Sequence, residues 1–454
     1  MVKPGLGDVL GRRQLALLIA LVGFSGCSLK RGVQPVKPEV VAAPAPMPAV
    51  PELVPAPEPD VAPEPVEPPP APVEPRDPRF TDASVHGSAQ RPQLHRLRSG
   101  PAITWTDRRD GRRSTWLQRL GADLRPIGEP IPLTPKHLPV ARAVALTDGA
   151  GRIALLMQVL VPPQRVNMVM VVSTAGQVVM EPVQLEGAGE VGRFGGALSH
   201  DGEAFQALWR SSTGRRDTIN WARFSDRVIE APVVVARERE GILDGGFLPF
   251  GAISLAADTG GAWIGFSRQA RHDERGPSAL RHHLLRIDAQ GRRVAIAPVP
   301  SPSPMTQGGD LRFARSDKAL MAFWTRTDLS IPRPIEELVG MRLGIGDATV
   351  GPARTLRSCP KGCHEMAPVG GAMIGVSAGE LWAAPWSERS LGAPRRIASV
   401  AMTPGLVRPS ALPIGEGIAI TWIDESAVGG RLRTEVWLDW LSPPDPSDEH
   451  PPAG

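Results

Sequence analysis

No tyrosine occurs anywhere in the 454 residues, and lysine and asparagine are scarce, at six and two. Without a phenol, the chain cannot use a tyrosine nucleophile. The few lysines stand against 45 arginines, which reads as the codon bias of a high-GC genome, so the net charge of +4 says little about partners. Cysteine is limited to three, an odd number. Long apolar runs are missing too. The run at 15–22 is well short of the roughly 20 residues that a membrane-spanning helix needs.

That short run follows Lys3, Arg12 and Arg13 and precedes Phe24-Ser25-Gly26-Cys27. A basic start, an apolar middle and small residues before the cut are what a signal peptidase needs, so residues 1–26 are expected to be an export signal. Phe24 to Cys27 resembles the bacterial lipobox, with Phe24 where leucine is usual. Cys27 is then the lipidated first residue of the mature chain, and an even pair, Cys359 and Cys363, remains. An ordinary secreted protein with an unmodified Cys27 is the other reading. Ser28 stands where an aspartate would resemble an inner-membrane retention signal, which favours the outer membrane, facing the periplasm or the cell exterior.

Residues 27–78 form a linker. Between positions 35 and 78 lie 17 prolines in 44 residues, interleaved with Ala, Val and Glu. Proline at that density holds the backbone in polyproline II, so the segment reaches on the order of 130 Å as a semi-rigid spacer. Eight acidic residues against Lys37 and Arg76 give it net −6, which leaves about +6 on residues 79–454. An acidic stalk under a mildly basic domain is the expectation; a low-complexity tail without mechanical purpose is the alternative.

Repeats organise the rest. Residues 195–236 read as four short strands separated by turn chemistry at His200-Asp201-Gly202, Ser212-Thr213-Gly214 and Ser225-Asp226. One such unit cannot bury its own apolar faces, so copies must stack. Second-strand anchors recur at Trp105, Met157, Trp209, Phe266, Trp324, Val376 and Trp422, at intervals of 52, 52, 57, 58, 52 and 46. Third-strand anchors recur at Trp116, Met168, Trp221, Leu284, Val339, Trp382 and Trp437, and fourth strands share a cadence in GEPIPL, EAPVVV, GPARTL and GAPRRI.

A four-stranded unit near 50 residues predicts an all-β fold, a single β-propeller over residues 79–444, with a Pro-rich tail at 445–454. Seven blades are expected. Six remain an alternative, because Trp386 competes with Val376 as the sixth anchor. The last unit lacks a fourth strand, so residues 79–85 are expected to complete it and close the ring. TWLQRLGADLRPIGEPIPLT and HLLRIDAQGRRVAIAPV resemble blades of secreted bacterial propeller proteins, and the overall plan is similar to that of surface lipoproteins of myxobacteria and related high-GC bacteria. The resemblance covers residues 90–442 and implies a fold, with no catalytic residue carried across.

Connections between second and third strands should emerge on one face. There they bring Arg108, Arg109, Arg112, Arg113, Arg215, Arg216, Arg281 and Arg431, planar donors suited to carboxylate, sulfate or phosphate groups on a polymer. Arginine that merely fills solvated loops is the bland alternative. The loop with His272, Asp273, Glu274, His282 and His283 matches no named metal site, and no metal is expected. No catalytic residues emerge, since no repeated Asp-box string occurs and the scattered Asp and Glu read as turn formers. Cys359 and Cys363 are expected to form a loop disulfide in an oxidising setting. A covalent c-type haem through Cys359, Cys363 and His364, with Met366 or Met373 as second axial ligand, is the alternative to an absence of cofactors. The expected role is an envelope binding or scaffolding module for anionic polysaccharide or a protein partner. A propeller hydrolase or lyase is the alternative, and nucleic acid is not expected to be a partner.

Overall fold

The computed structural model describes residues 79–81 and 90–441, apart from 110–111, 163, 186–194, 213–216, 227–228, 238–252, 259, 271–278, 300–305, 309–310, 316–318, 329–333, 360–361, 370, 402–406 and 429–430. The export signal, the stalk and the tail lie outside the described residues.

Alternating apolar and polar residues, broken by turn formers, fold into seven antiparallel meanders. These blades span residues 90–132, 140–184, 196–237, 253–298, 306–359, 364–399 and 410–441. The chain is an all-β, seven-bladed propeller. Blade 5 carries its inner strand in two pieces, Thr306–Gly308 and Arg312–Arg315, both paired with Leu320–Asp328.

Each second-strand anchor falls on the second strand of its blade and is buried, including Val376 of blade 6. The third-strand anchor lies directly opposite it in blades 1, 2, 5 and 7, as Trp105 with Trp116, Met157 with Met168, Trp324 with Val339 and Trp422 with Trp437. In blades 3, 4 and 6 the anchors are offset by one, so that Trp221 faces Leu208, Leu284 faces Gly265 and Trp382 faces Gly375. An offset of one places the two side chains on opposite faces of the sheet, against different neighbouring blades.

Among the described residues, the apolar core is divided into seven clusters, one at each junction between neighbouring blades. The last of them joins Ala419, Val436 and Leu438 of blade 7 to Leu94, Ile103, Trp105 and Leu120 of blade 1, so the stack closes on itself. Burial of each large side chain contributes roughly 1.5–3 kcal/mol.

Residues from before blade 1 reinforce the closure. Arg79 bridges Trp437, Phe80 and Thr81 donate backbone NH groups to Val436 O at 2.8 and 3.2 Å, and the Phe80 ring meets Trp105 edge-on at 5.3 Å. Residues 82–85 of the expected closing strand lie outside the described residues.

Aspartates serve the turns. Asp148 Oδ1 accepts the NH groups of Ala150, Gly151 and Arg152, and Arg152 Nε donates to Oδ2 at 2.6 Å. Asp288 repeats the device with Gln290 and Arg292. Gly291 follows with φ of 72°, and a Cβ there would meet the Trp221 ring at 2.8 Å. Such a turn accepts only glycine without displacing that ring.

Candidate functional site at the channel mouth

The inner strands surround a central cavity of about 690 Å³, lined from all seven blades. Their heads are irregular. In blade 1 the register slips between Gln90 and Gln93, and in blade 6 between His364 and Ala367. Within these bulges Arg91 and Glu365 take φ of 50° and 49°, and Arg408, just before the inner strand Ser410–Ile414, takes 49°. Such conformations cost a non-glycine residue on the order of 1 kcal/mol or more and re-aim its side chain. All three residues line the cavity.

Arginines converge there. Arg91, Arg312 and Arg408 line the cavity from blades 1, 5 and 7, and Arg142 stands at the head of the inner strand Val140–Thr147 of blade 2. Burial, then the positive charges of Arg408, Arg142 and Arg312, push the Arg91 guanidinium down to about 9. Arg142 is lowered by burial, Arg408 and Arg165. Glu365 is the carboxylate among the described lining residues, and its Oε2 accepts the backbone NH of Arg408 at 2.8 Å.

The ring of inner strands is tied from blade to blade. Ala145 NH donates to Gln93 Oε1 at 2.7 Å, Leu94 NH to Ser410 Oγ at 3.2 Å and Ala257 NH to Ser199 Oγ at 2.8 Å. Ser254 also lines the cavity; its buried hydroxyl has no hydrogen-bond partner among the described residues.

The heads of the inner strands share a face with the hairpins between second and third strands, because Gln90 pairs with Thr106 close to the hairpin end where Arg109 pairs with Arg112. Four of the sequence-predicted arginines sit on that hairpin. Arg108 faces Arg113 across it, and both Arg108 and Arg112 are exposed. Arg112 Nη1 donates to Lys136 O at 3.1 Å and Arg113 Nη1 to Ala141 O at 2.9 Å, so part of their donor capacity ties blade 1 to the head of blade 2. Burial, Arg108 and Arg142 lower the Arg113 pKa, which links the hairpin electrostatically to the channel. Arg281 pairs with Arg268 and Arg431 with Val428, near the hairpin ends of blades 4 and 7. Arg215 and Arg216 lie outside the described residues.

Sequence reading missed Arg91, Arg142, Arg312 and Arg408. A signal was present: the strings Arg91-Pro92-Gln93-Leu94 and Arg408-Pro409-Ser410-Ala411 each begin 14 residues before a tryptophan anchor, Trp105 and Trp422.

Of the other candidates, Cys359 and Cys363 form a buried disulfide joining the outer strand of blade 5 to the start of blade 6, and Cys363 NH donates to Glu336 Oε2 at 2.7 Å. His364 is exposed, whereas Met366 and Met373 are buried. His282 is buried with Nδ1 3.2 Å from Ser267 Oγ, while His283 stacks on Phe266 at 5.2 Å. His272, Asp273 and Glu274 lie outside the described residues. Among the described residues, no three or more His, Cys, Asp or Glu side chains come together as metal ligands.

No family model matches the sequence, and no curated protein matches it. Among solved structures, the chain is similar to an ulvan lyase of a polysaccharide lyase family, at 9% identity and a TM-score of 0.47, covering 81% of this chain and 96% of that one. A second polysaccharide lyase matches at 11% identity and a TM-score of 0.45, covering 82% and 93%. An α-L-arabinofuranosidase from Fusarium graminearum matches at 11% and 0.41, covering 68% and 94%. Identities at this level transfer no activity.

Proposed function

We propose that the chain is an exported lipoprotein, anchored in the outer membrane through Cys27, whose stalked propeller binds an anionic envelope polysaccharide on its arginine-bearing face. The expected plan of export signal, stalk and propeller resembles that of surface lipoproteins of high-GC bacteria such as myxobacteria. One observation carries the binding assignment: Arg91, Arg312 and Arg408 line one central cavity on the same face as the blade 1 hairpin that bears Arg108, Arg112 and Arg113. A face that bears so many arginines favours a polyanion over an uncharged ligand.

Binding of the full-length chain to anionic and neutral polysaccharides at two salt concentrations tests this reading. Salt-sensitive binding of anionic polymers, weakened in an Arg112→Gln/Arg113→Gln variant, supports it. Equal binding of neutral polymers contradicts it. Binding of no polysaccharide overturns it and turns the search to an acidic protein partner by crosslinking on intact cells.

A second reading, a glycan lyase or hydrolase, is favoured by Glu365, a carboxylate placed among arginines in a cavity of ligand size. A single base beside cations that neutralise a uronate carboxylate suits proton abstraction and elimination better than hydrolysis, which takes two carboxylates. Turnover of an acidic polysaccharide that disappears in Glu365→Gln with binding retained is its test.

A further inference from the structure

We propose that the hairpin between the second and third strands of blade 2, together with the loop that leads into that blade, docks on a lipid surface bearing anionic headgroups. The inference goes beyond the polysaccharide reading, because it gives the arginine-bearing face a second kind of partner.

The hairpin stands out in composition. No charged residue occurs between Arg152 and Arg165, whereas the matching hairpin of blade 1 reads RRDGRR at 108–113. Packed between blades 1 and 3, the second strand of blade 2 is buried on both faces from Ile153 to Val159. Its apolar run then continues past that core. Leu160 and Val161 are 40% and 48% exposed, and Pro162 beyond them is exposed too. Two adjacent aliphatic side chains at a hairpin end form a patch that the fold itself does not bury, unlike the single exposed aliphatics common on any protein.

Cations border that patch through direct ties. The NH of Leu160 donates to Pro139 O at 3.0 Å, which sets the loop at 135–139 beside the hairpin. Lys136 is exposed on that loop, and its carbonyl accepts Arg112 Nη1 at 3.1 Å from the hairpin of blade 1. Arg165 stands directly across the strands from Leu160. Among the described residues of 108–115, 135–142 and 158–167 no carboxylate offsets these charges, and Asp110 lies outside the described residues.

An aliphatic tip edged by lysine and arginine fits the boundary of a bilayer. The apolar side chains leave water for the acyl region while the cations meet anionic headgroups, and the two gains add. A hydrated polysaccharide would satisfy the cations but offer Leu160 and Val161 little apolar surface. The tip is also presented on paired backbone, Val161 opposite Gln164, so docking costs little ordering.

The test uses the full-length chain with an environment-sensitive dye on Pro162→Cys, reconstituted in vesicles of phosphatidylcholine alone or of equal parts phosphatidylcholine and phosphatidylglycerol. The proposed lipid on Cys27 holds the chain on both, so a difference between them reports the propeller face. A blue shift of the dye on the anionic vesicles, reversed by high salt, is expected. In the same labelled chain Leu160→Ser/Val161→Ser should weaken docking about tenfold. Lys136→Gln/Arg165→Gln should remove the dependence on phosphatidylglycerol. Val294→Ser, at an exposed aliphatic on the outer strand of blade 4, should change nothing. An equal shift on both vesicle types, or a shift that survives Leu160→Ser/Val161→Ser, overturns the inference. Absence of any shift also overturns it and assigns the tip to a protein partner. Neither result touches the polysaccharide reading, which rests on binding of soluble polymer.

Discussion

The backbone NH of Arg408 donates to Glu365 Oε2 at 2.8 Å, joining the heads of the inner strands of blades 6 and 7. Both residues have φ of 49°, a conformation that costs a non-glycine residue free energy, and the bond ties the two positions together. The carboxylate thereby fixes an arginine of the channel and sets a negative charge beside the proposed polyanion.

Glutamine at position 365 keeps an acceptor for that NH and removes the charge. Anion affinity in Glu365→Gln is expected to rise about fivefold, from roughly 1 kcal/mol of repulsion removed. Glu365→Ala also releases the Arg408 backbone and is expected to weaken binding. Dextran sulfate titrations of the two variants should move in opposite directions; a loss of affinity in both would make Glu365 a purely structural acceptor.

His95 gives the fold a dependence on pH. It is fully enclosed in blade 1, with Nε2 2.8 Å from Thr104 Oγ1, and burial pushes its pKa from 6.5 to about 4. The unfolded chain therefore takes up its proton near pH 6.5 and the folded chain only near pH 4. Between those values the unfolded state binds more protons, so stability falls as pH drops, by up to about 3 kcal/mol. Urea midpoints at neutral pH and near pH 4 should differ less in His95→Gln than in the parent chain.

A buried ion pair clasps blade 4 to blade 5. Arg286 Nη2 lies 2.6 Å from Asp258 Oδ1, Asp258 Oδ2 accepts the NH of Gly346 at 3.0 Å, and Arg286 Nε donates to Asp347 O at 3.2 Å. Asp258→Ala strands a buried cation and is expected to cost about 3–5 kcal/mol. Asp258→Leu/Arg286→Met should recover most of that loss in the same denaturation experiment.

The architecture was legible because blade anchors are large, apolar and periodic. Trp105, Trp209, Trp324 and Trp422 all lie on second strands, and Val376 serves blade 6 as the repeat alignment required. What periodicity could not convey was the division of inner strands by bulges. Arg91 and Glu365 lie on backbone that departs from the alternation, so a period of two assigns their side chains no face. The conspicuous arginine runs lie in the hairpins, where Arg113 spends part of its donor capacity on Ala141 O. The channel arginines are single residues spread over more than 300 positions, and only closure of the ring brings them together.

Hydrogen–deuterium exchange on the full-length chain, with and without dextran sulfate as a polyanion probe, locates the binding face most directly. The account predicts slowed exchange at the heads of the inner strands, near residues 90–94, 140–144, 364–368 and 407–411, with the hairpin at 108–113 also protected. Protection confined to the outer strands at 126–132, 178–184 and 233–237 would contradict it.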